Sequence, residues 1–242
     1  MTSWRTNSEV NIMSGKRSIL RTIVDRNVER QLVKEFLMDN TKGSGFGGLT
    51  IKRTPSGTSV KILAERPGRV IGRKGKIIND LQKRLDEEFD LHNPGLSVVG
   101  FEDLEPKADP TLNAQVMANK IASALERGWY YRRAGASAAV NIMESGARGV
   151  IVTVAGKLTG SRNRTQKFIL GHVKYCGETA LQFMDKGYSV AIKKLGTIGV
   201  TVQIMRKGIK LPHEISVFSE EELRIRSEQD TTEVEVSEEA SE

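Results

Sequence analysis

Gly72-Arg73-Lys74-Gly75 is the segment of this sequence best suited to holding an anion. Its two glycines let the backbone turn tightly and approach a phosphate with no Cβ in the way. A helical apolar pattern follows at once, and the first turn of a helix presents unpaired N–H groups to an anion. Arg73, Lys74 and Lys76 put positive charge at the same point. A nucleic-acid strand clamped there by its backbone could lay its bases in the adjoining groove. The tetrapeptide alone is weak, because Gly-x-x-Gly also occurs at ordinary helix corners whose Arg and Lys are merely solvated.

A second set of suitable residues is Arg132-Arg133, preceded by Trp129, Tyr130 and Tyr131. Arginine pairs bidentately with phosphate and stacks on bases. Aromatics can stack on unpaired bases, although core packing is their commoner use. Adjacent helical residues point about 100° apart, so both arginines cannot lie deep in one core. The run from Ser161 to Lys167 alternates polar residues with Arg162, Arg164 and Lys167, and Lys157 lies just before it. It reads as a loop laid on RNA, with a charged hairpin end as the alternative.

Other signals point to structure rather than reaction chemistry. Gly43, Gly45 and Gly48 have the spacing of a dinucleotide loop, but that loop needs a strand before it and a helix after it. Here the order is reversed, so the segment reads as a flexible loop. Gly135-x-Ser137 lacks the last glycine of a nucleophile elbow. His172 and Cys176 are two candidate ligands where zinc wants three or four. His92 and His213 have no evident partners in the sequence. No catalytic residue, metal or cofactor is therefore assigned.

The chain has 242 residues, which suggests two domains. The net charge of +7 understates the basicity. Ten acidic residues against two arginines from Ser219 onward give a local charge of −8, so residues 1–218 carry +15. A body that basic favours a polyanion: nucleic acid first, an acidic membrane surface next. No apolar run approaches a membrane span, and no secretory leader is evident. A single cysteine rules out an intrachain disulfide. A cytoplasmic location is expected.

The elements that must position these residues can be read from periodicity. Ile23, Val24, Val28, Leu32, Phe36 and Leu37 have helical spacing with one buried face. Alternation at Leu49 and Ile51, and then at Val60, Ile62 and Ala64, predicts two strands in a hairpin across Pro55-Ser56-Gly57. Val70-Ile71 forms a short apolar turn before the glycine loop. Ile77, Ile78, Leu81, Leu85 and Phe89 mark a second full helix, and Leu96 to Phe101 a third strand. Pro106 to Pro110 reads as a linker. Two helices follow, one through Leu112–Leu125 and one over Tyr131–Met143, and then strands near Val150–Leu158, Thr165–Tyr175, Tyr188–Leu195 and Ile198–Met205. The expected class is α+β. Residues 1–17 form a flexible basic arm, 18–105 and 106–218 two domains, and 219–242 an acidic disordered tail.

This order of elements around Val70-Ile71-Gly72 resembles the type II KH domain, an RNA-binding fold. The likeness extends from about Ser18 to Arg206. It is carried by Gly47-Gly48-Leu49-Thr50-Ile51-Lys52-Arg53-Thr54-Pro55 and by Ala64-Glu65-Arg66-Pro67-Gly68-Arg69 running into the glycine loop. Further segments are Ala124-Leu125-Glu126-Arg127-Gly128, Tyr131-Arg132-Arg133-Ala134, Gly146-Ala147-Arg148-Gly149-Val150, Gly156-Lys157-Leu158-Thr159-Gly160 and Leu195-Gly196-Thr197-Ile198-Gly199-Val200. Together they resemble the universal S-three proteins of the small ribosomal subunit, in archaeal and eukaryotic form. The resemblance implies a structural protein of the subunit head near the mRNA entrance channel, bound to ribosomal RNA, mRNA and neighbouring head proteins. In bacterial members three basic residues of the second domain help separate structured mRNA. Two match Arg132 and Arg133, and the third falls on Ala136. Lys157, Arg162, Arg164 and Lys167 could supply charge instead. The competing functions are a free KH-type RNA regulator and a nuclease acting on damaged DNA. Neither is favoured: a free regulator would more often carry several KH modules and a lower basic load, and a nuclease needs an activated amine or carboxylate, for which no lysine is marked out.

Overall fold

The computed structural model describes residues 19–41, 43–55, 57–89, 91, 93–104 and 109–215. The expected basic arm, most of the expected linker and the acidic tail lie outside these residues. The elements of the first half are α1 (Ile19–Asn40), β1 (Phe46–Thr54), β2 (Gly57–Ala64), α2 (Pro67–Ile71), α3 (Lys76–Glu88) and β3 (Pro94–Gly100). Those of the second are α4 (Ala114–Glu126), α5 (Tyr131–Glu144), β4 (Gly149–Gly156), β5 (Arg164–Gly171), α6 (Glu178–Phe183), β6 (Met184–Lys193) and β7 (Gly196–Met205).

The first sheet has the order β1-β2-β3. β1 and β2 form the expected antiparallel hairpin, whereas β2 and β3 run parallel. A parallel pair needs a crossover, and α2 and α3 supply it. Val60, Ile62 and Ala64 of β2 are fully buried while Lys61 between them is exposed, the two-residue period of a half-covered strand. They pack with Val33, Leu37, Val70, Leu81 and Leu85. β1 begins earlier than the glycine run suggests, and Gly47 and Gly48 lie within it. A Cβ on Gly47 would come within 2.6 Å of the Phe101 ring, so the glycine makes room for an aromatic rather than for a loop. Gly43 and Gly45 do turn the chain, with φ of 86° and 75°.

α1 departs from the single buried face its pattern suggests. Val33 and Leu37 are buried, but Ile23, Val24, Val28 and Leu32 are 41–58% exposed. Only the last turns of α1 meet the sheet, and an ion pair from Arg53 to Glu29 marks where contact begins.

The second sheet has the order β5-β4-β7-β6, antiparallel throughout. Val150, Val152 and Val154 of β4, and Ile198, Val200, Val202 and Ile204 of β7, face α4 and α5 and are buried. β5 ends at Gly171 rather than running to Tyr175. Gly171 has φ of 71°, and its Cα side abuts the Arg148 carbonyl and the Met143 side chain, so the chain turns out of the sheet there. β5 and β6 are opposite edges, so residues 172–183 must cross the end of the sheet, and they include α6.

The described residues up to Lys207 form one compact unit. Asn113 ties its two sheets together. Its Oδ1 accepts from the Gln115 and Val116 amides at 3.0 and 3.1 Å, capping α4, while its Nδ2 donates to the Gly47 carbonyl at 2.9 Å. Lys120 of α4 pairs with Glu65 at 2.9 Å. The described residues from Gly208 to Ile215 belong to a separate unit, in which the Glu214 amide donates to the Leu211 carbonyl at 2.9 Å. Among the described residues no helix is long and apolar enough to cross a membrane.

One glycine is replaceable. Gly68 lies inside α2 with open space where a Cβ would go. Gly68→Ala is expected to stabilise the protein by up to about 1 kcal/mol through helix propensity, raising the thermal midpoint by about 2 °C. A midpoint unchanged or lowered in a circular-dichroism melt would show that the position is constrained.

Candidate nucleic-acid interface

α2 stops at Ile71, and Gly72 leaves it with φ 73° and ψ 179°, a conformation available essentially only to glycine. A Cβ there would also come within 2.6 Å of Ile77. Gly75 is left-handed at φ 74°. Both glycines of the loop are thus demanded by backbone shape. Between them the chain kinks, and Lys74 takes the left-handed conformation at φ 56°. A lysine there costs about 1 kcal/mol, and such strain gathers at functional sites. Arg73, Lys74 and Lys76 are exposed, and among the described residues none of them is in an ion pair. Ile71 and Ile77 stay 39% and 44% exposed beside the loop and give it an apolar flank. Arg69 Nη1 donates to the Gly43 carbonyl at 2.8 Å and pins the first glycine turn next to the loop.

The second site grows from the junction of α4 and α5. Gly128, at φ 96°, ends α4, with its amide on the Leu125 carbonyl and the Trp129 amide on the Ala124 carbonyl, both at 3.1 Å. This double bond pattern is a Schellman motif. The three aromatics divide. Tyr131 is 8% exposed and belongs to the core, whereas Trp129 and Tyr130 are 45% and 54% exposed. Arg132 Nε donates to the Tyr131 hydroxyl at 3.1 Å. The guanidinium of Arg133 sits 5.2 Å from the centre of the Trp129 ring, a cation–π contact. Both arginines are exposed and each is oriented by an aromatic. The Arg132 guanidinium beside it holds the Tyr131 phenol below its ordinary value, with smaller help from Tyr130 and from the charge of Arg164. The same Tyr131 contact pushes Arg132 up.

The remaining candidate cations are gathered unequally. Gly156 pairs with both Arg164 and Ile198, and Lys193 pairs with Gly196, so these residues share one end of the sheet. Arg164 lies at that end on the face covered by α5, where its charge reaches Tyr131. Lys157 and Arg162 are exposed in the β4–β5 connection at the same end. Lys167 is not with them. It pairs with Thr153, out of phase with the buried valines, and projects from the opposite face. Lys193 and Lys194, at the β6–β7 turn, join this end of the sheet. They were missed because a two-lysine turn is an unremarkable hairpin feature. Gly135 is buried against the Phe168 ring, so it serves the packing of α5 on β5.

A mixed three-stranded sheet, a two-helix crossover broken by Gly72-Arg73-Lys74-Gly75, and an antiparallel sheet bearing two helices define a KH-type RNA-binding protein of α+β class. Family comparisons agree. Residues 32–98 match the KH domain, and residues 121–204 match "Ribosomal protein S3, C-terminal domain". The chain is 47% identical over 204 residues to the small ribosomal subunit protein uS3 of Methanoculleus marisnigri, spanning 84% of this chain and 85% of that one. It is 44% identical over 206 residues to uS3 of Methanocaldococcus jannaschii, spanning 85% and 96%. The chain belongs to the uS3 family of small ribosomal subunit proteins, whose members are structural rather than enzymatic.

Proposed function

We propose that this protein is a structural constituent of the head of the small ribosomal subunit, which holds ribosomal RNA through the KH loop and helps line the mRNA entrance. The domain expected over 18–105 would anchor the protein on ribosomal RNA, and the one over 106–218 would present its basic end to the message. The observation that carries this reading is the pair of exposed arginines at the start of α5, Arg132 held on the Tyr131 hydroxyl and Arg133 on the Trp129 ring, on the helix that packs over β5, the strand that begins with Arg164. Fixed guanidinium groups on an exposed surface suit passing phosphates, and such contacts are insensitive to sequence and weaken with salt. Ala136 is exposed one helical turn beyond Arg132, so the third charge of bacterial members has no counterpart on that helix face. The exposed apolar row Leu20, Val24, Val28 and Leu32 of α1 is a surface that a neighbouring protein of the subunit would cover.

The test is the double variant Arg132→Ala, Arg133→Ala assembled into small subunits. Assembly is expected to persist, because the KH loop and the other basic segments remain. Translation of unstructured messages should stay near normal, while messages with a stable hairpin at the entrance should stall several-fold more often. Equal effects on both kinds of message, or failure of the variant to enter subunits, would make these arginines ribosomal RNA anchors and defeat the entrance role.

A further inference from the structure

We propose that Trp129 and Tyr130 form a stacking platform for unpaired RNA bases, beside the phosphate grip of Arg132 and Arg133. The inference deepens the reading of those arginines as RNA-facing groups, and its test separates the two. Three observations carry it.

The first is exposure. Trp129 and Tyr130 are adjacent and about half exposed, while the neighbouring Tyr131 alone fills the core beneath them. Large apolar faces left in water beside cations are the composition of a single-strand binding surface, where charge tracks the backbone and rings receive the bases.

The second is rigidity. Trp129 is fixed by the hydrogen bond its amide donates to the Ala124 carbonyl behind left-handed Gly128. Tyr130 immediately precedes α5, its carbonyl accepting from the Ala134 amide at 3.0 Å. The Tyr130 and Tyr131 ring centres are 4.7 Å apart with planes inclined by 45°. Two residues pinned between two helices lose little freedom when a ligand docks.

The third is the placement of charge. Arg133 lies against the Trp129 ring and Arg132 against Tyr131. A phosphate held by these guanidinium groups therefore brings its own base next to a ring. Bases inside a duplex are already stacked and paired, so the platform can receive only bases that are free. It selects single strands without reading their sequence.

The experiment uses the full chain with Trp4→Phe, which leaves Trp129 as its one tryptophan. Arg73→Asp and Lys74→Asp are added to silence the KH loop. Emission of Trp129 and affinity are followed at fixed salt with a single-stranded ten-uridine RNA and with a ten-base-pair RNA duplex. Single-stranded RNA should quench Trp129 and the duplex should not. Trp129→Ala with Tyr130→Ala should weaken single-strand binding about tenfold or more, weaken duplex binding much less, since only the orientation of Arg133 is lost, and leave the salt slope unchanged, since no charge is removed. Phenylalanine at both positions should restore most of the affinity. Equal loss for both RNAs, no loss for either, or emission blind to single-stranded RNA would overturn the platform. Arg132→Ala with Arg133→Ala should instead weaken both RNAs and flatten the salt slope. If the arginine pair responds and the aromatic pair is silent, the platform alone falls. If the aromatic pair responds and the arginine pair is silent, the platform stands and the phosphate grip falls.

Discussion

Replacing Arg73 and Lys74 together with aspartate is expected to lower the affinity of the full chain for RNA on the order of 100-fold, roughly tenfold for each reversed charge, with the fold intact. The loop offers a phosphate the backbone of two glycines, the start of α3 and three exposed cations. Reversal removes two of those cations and sets two carboxylates where the anion would lie. The salt dependence should flatten in parallel, by about two in the slope of log affinity against log salt, because two fewer counterions are released. Folding should not suffer. Neither side chain is buried or in an ion pair among the described residues, and aspartate tolerates the left-handed conformation of position 74 better than lysine does. The thermal midpoint should therefore stay within about 2 °C of the parent. Unchanged affinity at fixed salt would remove the loop from the RNA-binding surface. A collapsed midpoint would show that the loop charges serve the fold.

How much of this was legible depends on whether the decisive contact is local. Gly72 and Gly75 could be singled out because a tight turn onto a phosphate demands glycine at both places, and the backbone angles there are ones that only glycine adopts readily. The alternation in β2 likewise survived translation into burial, because that strand has one face on a core. α1 shows the limit. A helical apolar period says that a face is apolar, not that this chain covers it, and Leu20, Val24, Val28 and Leu32 remain in water. The segment after Gly171 misled for a different reason. Val173 and Tyr175 alternate as a strand would, but the chain has to travel from one edge of the sheet to the other, a fact set by pairing between distant strands. At the second site the arginines were visible from their type. Which aromatic goes inward was not, because Tyr131 is the first residue of α5 and the two before it lie outside the helix.

The largest effect on stability is expected at a residue no motif points to. Gly187 of β6 lies under the first turn of α4. A Cβ added there would stand 2.5 Å from the Gln115 nitrogen and closer still to the Ala114 carbonyl. These are backbone atoms, so no rotamer change can relieve the clash, and either the helix or the strand must move. Movement is resisted on both sides. Gln115 Nε2 donates to the Tyr188 carbonyl at 2.8 Å, and the Tyr188 amide donates back to Gln115 Oε1 at 3.2 Å, so the helix start is clasped to the next residue of β6. Two residues earlier, Asn113 caps the same helix and holds Gly47 of the first sheet. Lifting α4 would therefore disturb the clasp, the cap and the tie between the sheets at once. Gly187→Val should cost about 3 kcal/mol, the upper range for overpacking, and lower the thermal midpoint by about 6–12 °C for a chain of this size. Gly199→Ala is the matched control. Its nearest neighbour is the Tyr188 hydroxyl at 3.4 Å, on the face of the sheet away from α4, and it should change stability by less than about 0.5 kcal/mol. If both variants lose the same stability, glycine is needed for the strands themselves and not for the approach of the helix. If Gly187→Val melts with the parent, α4 is seated farther from β6 than its clasp to Tyr188 requires.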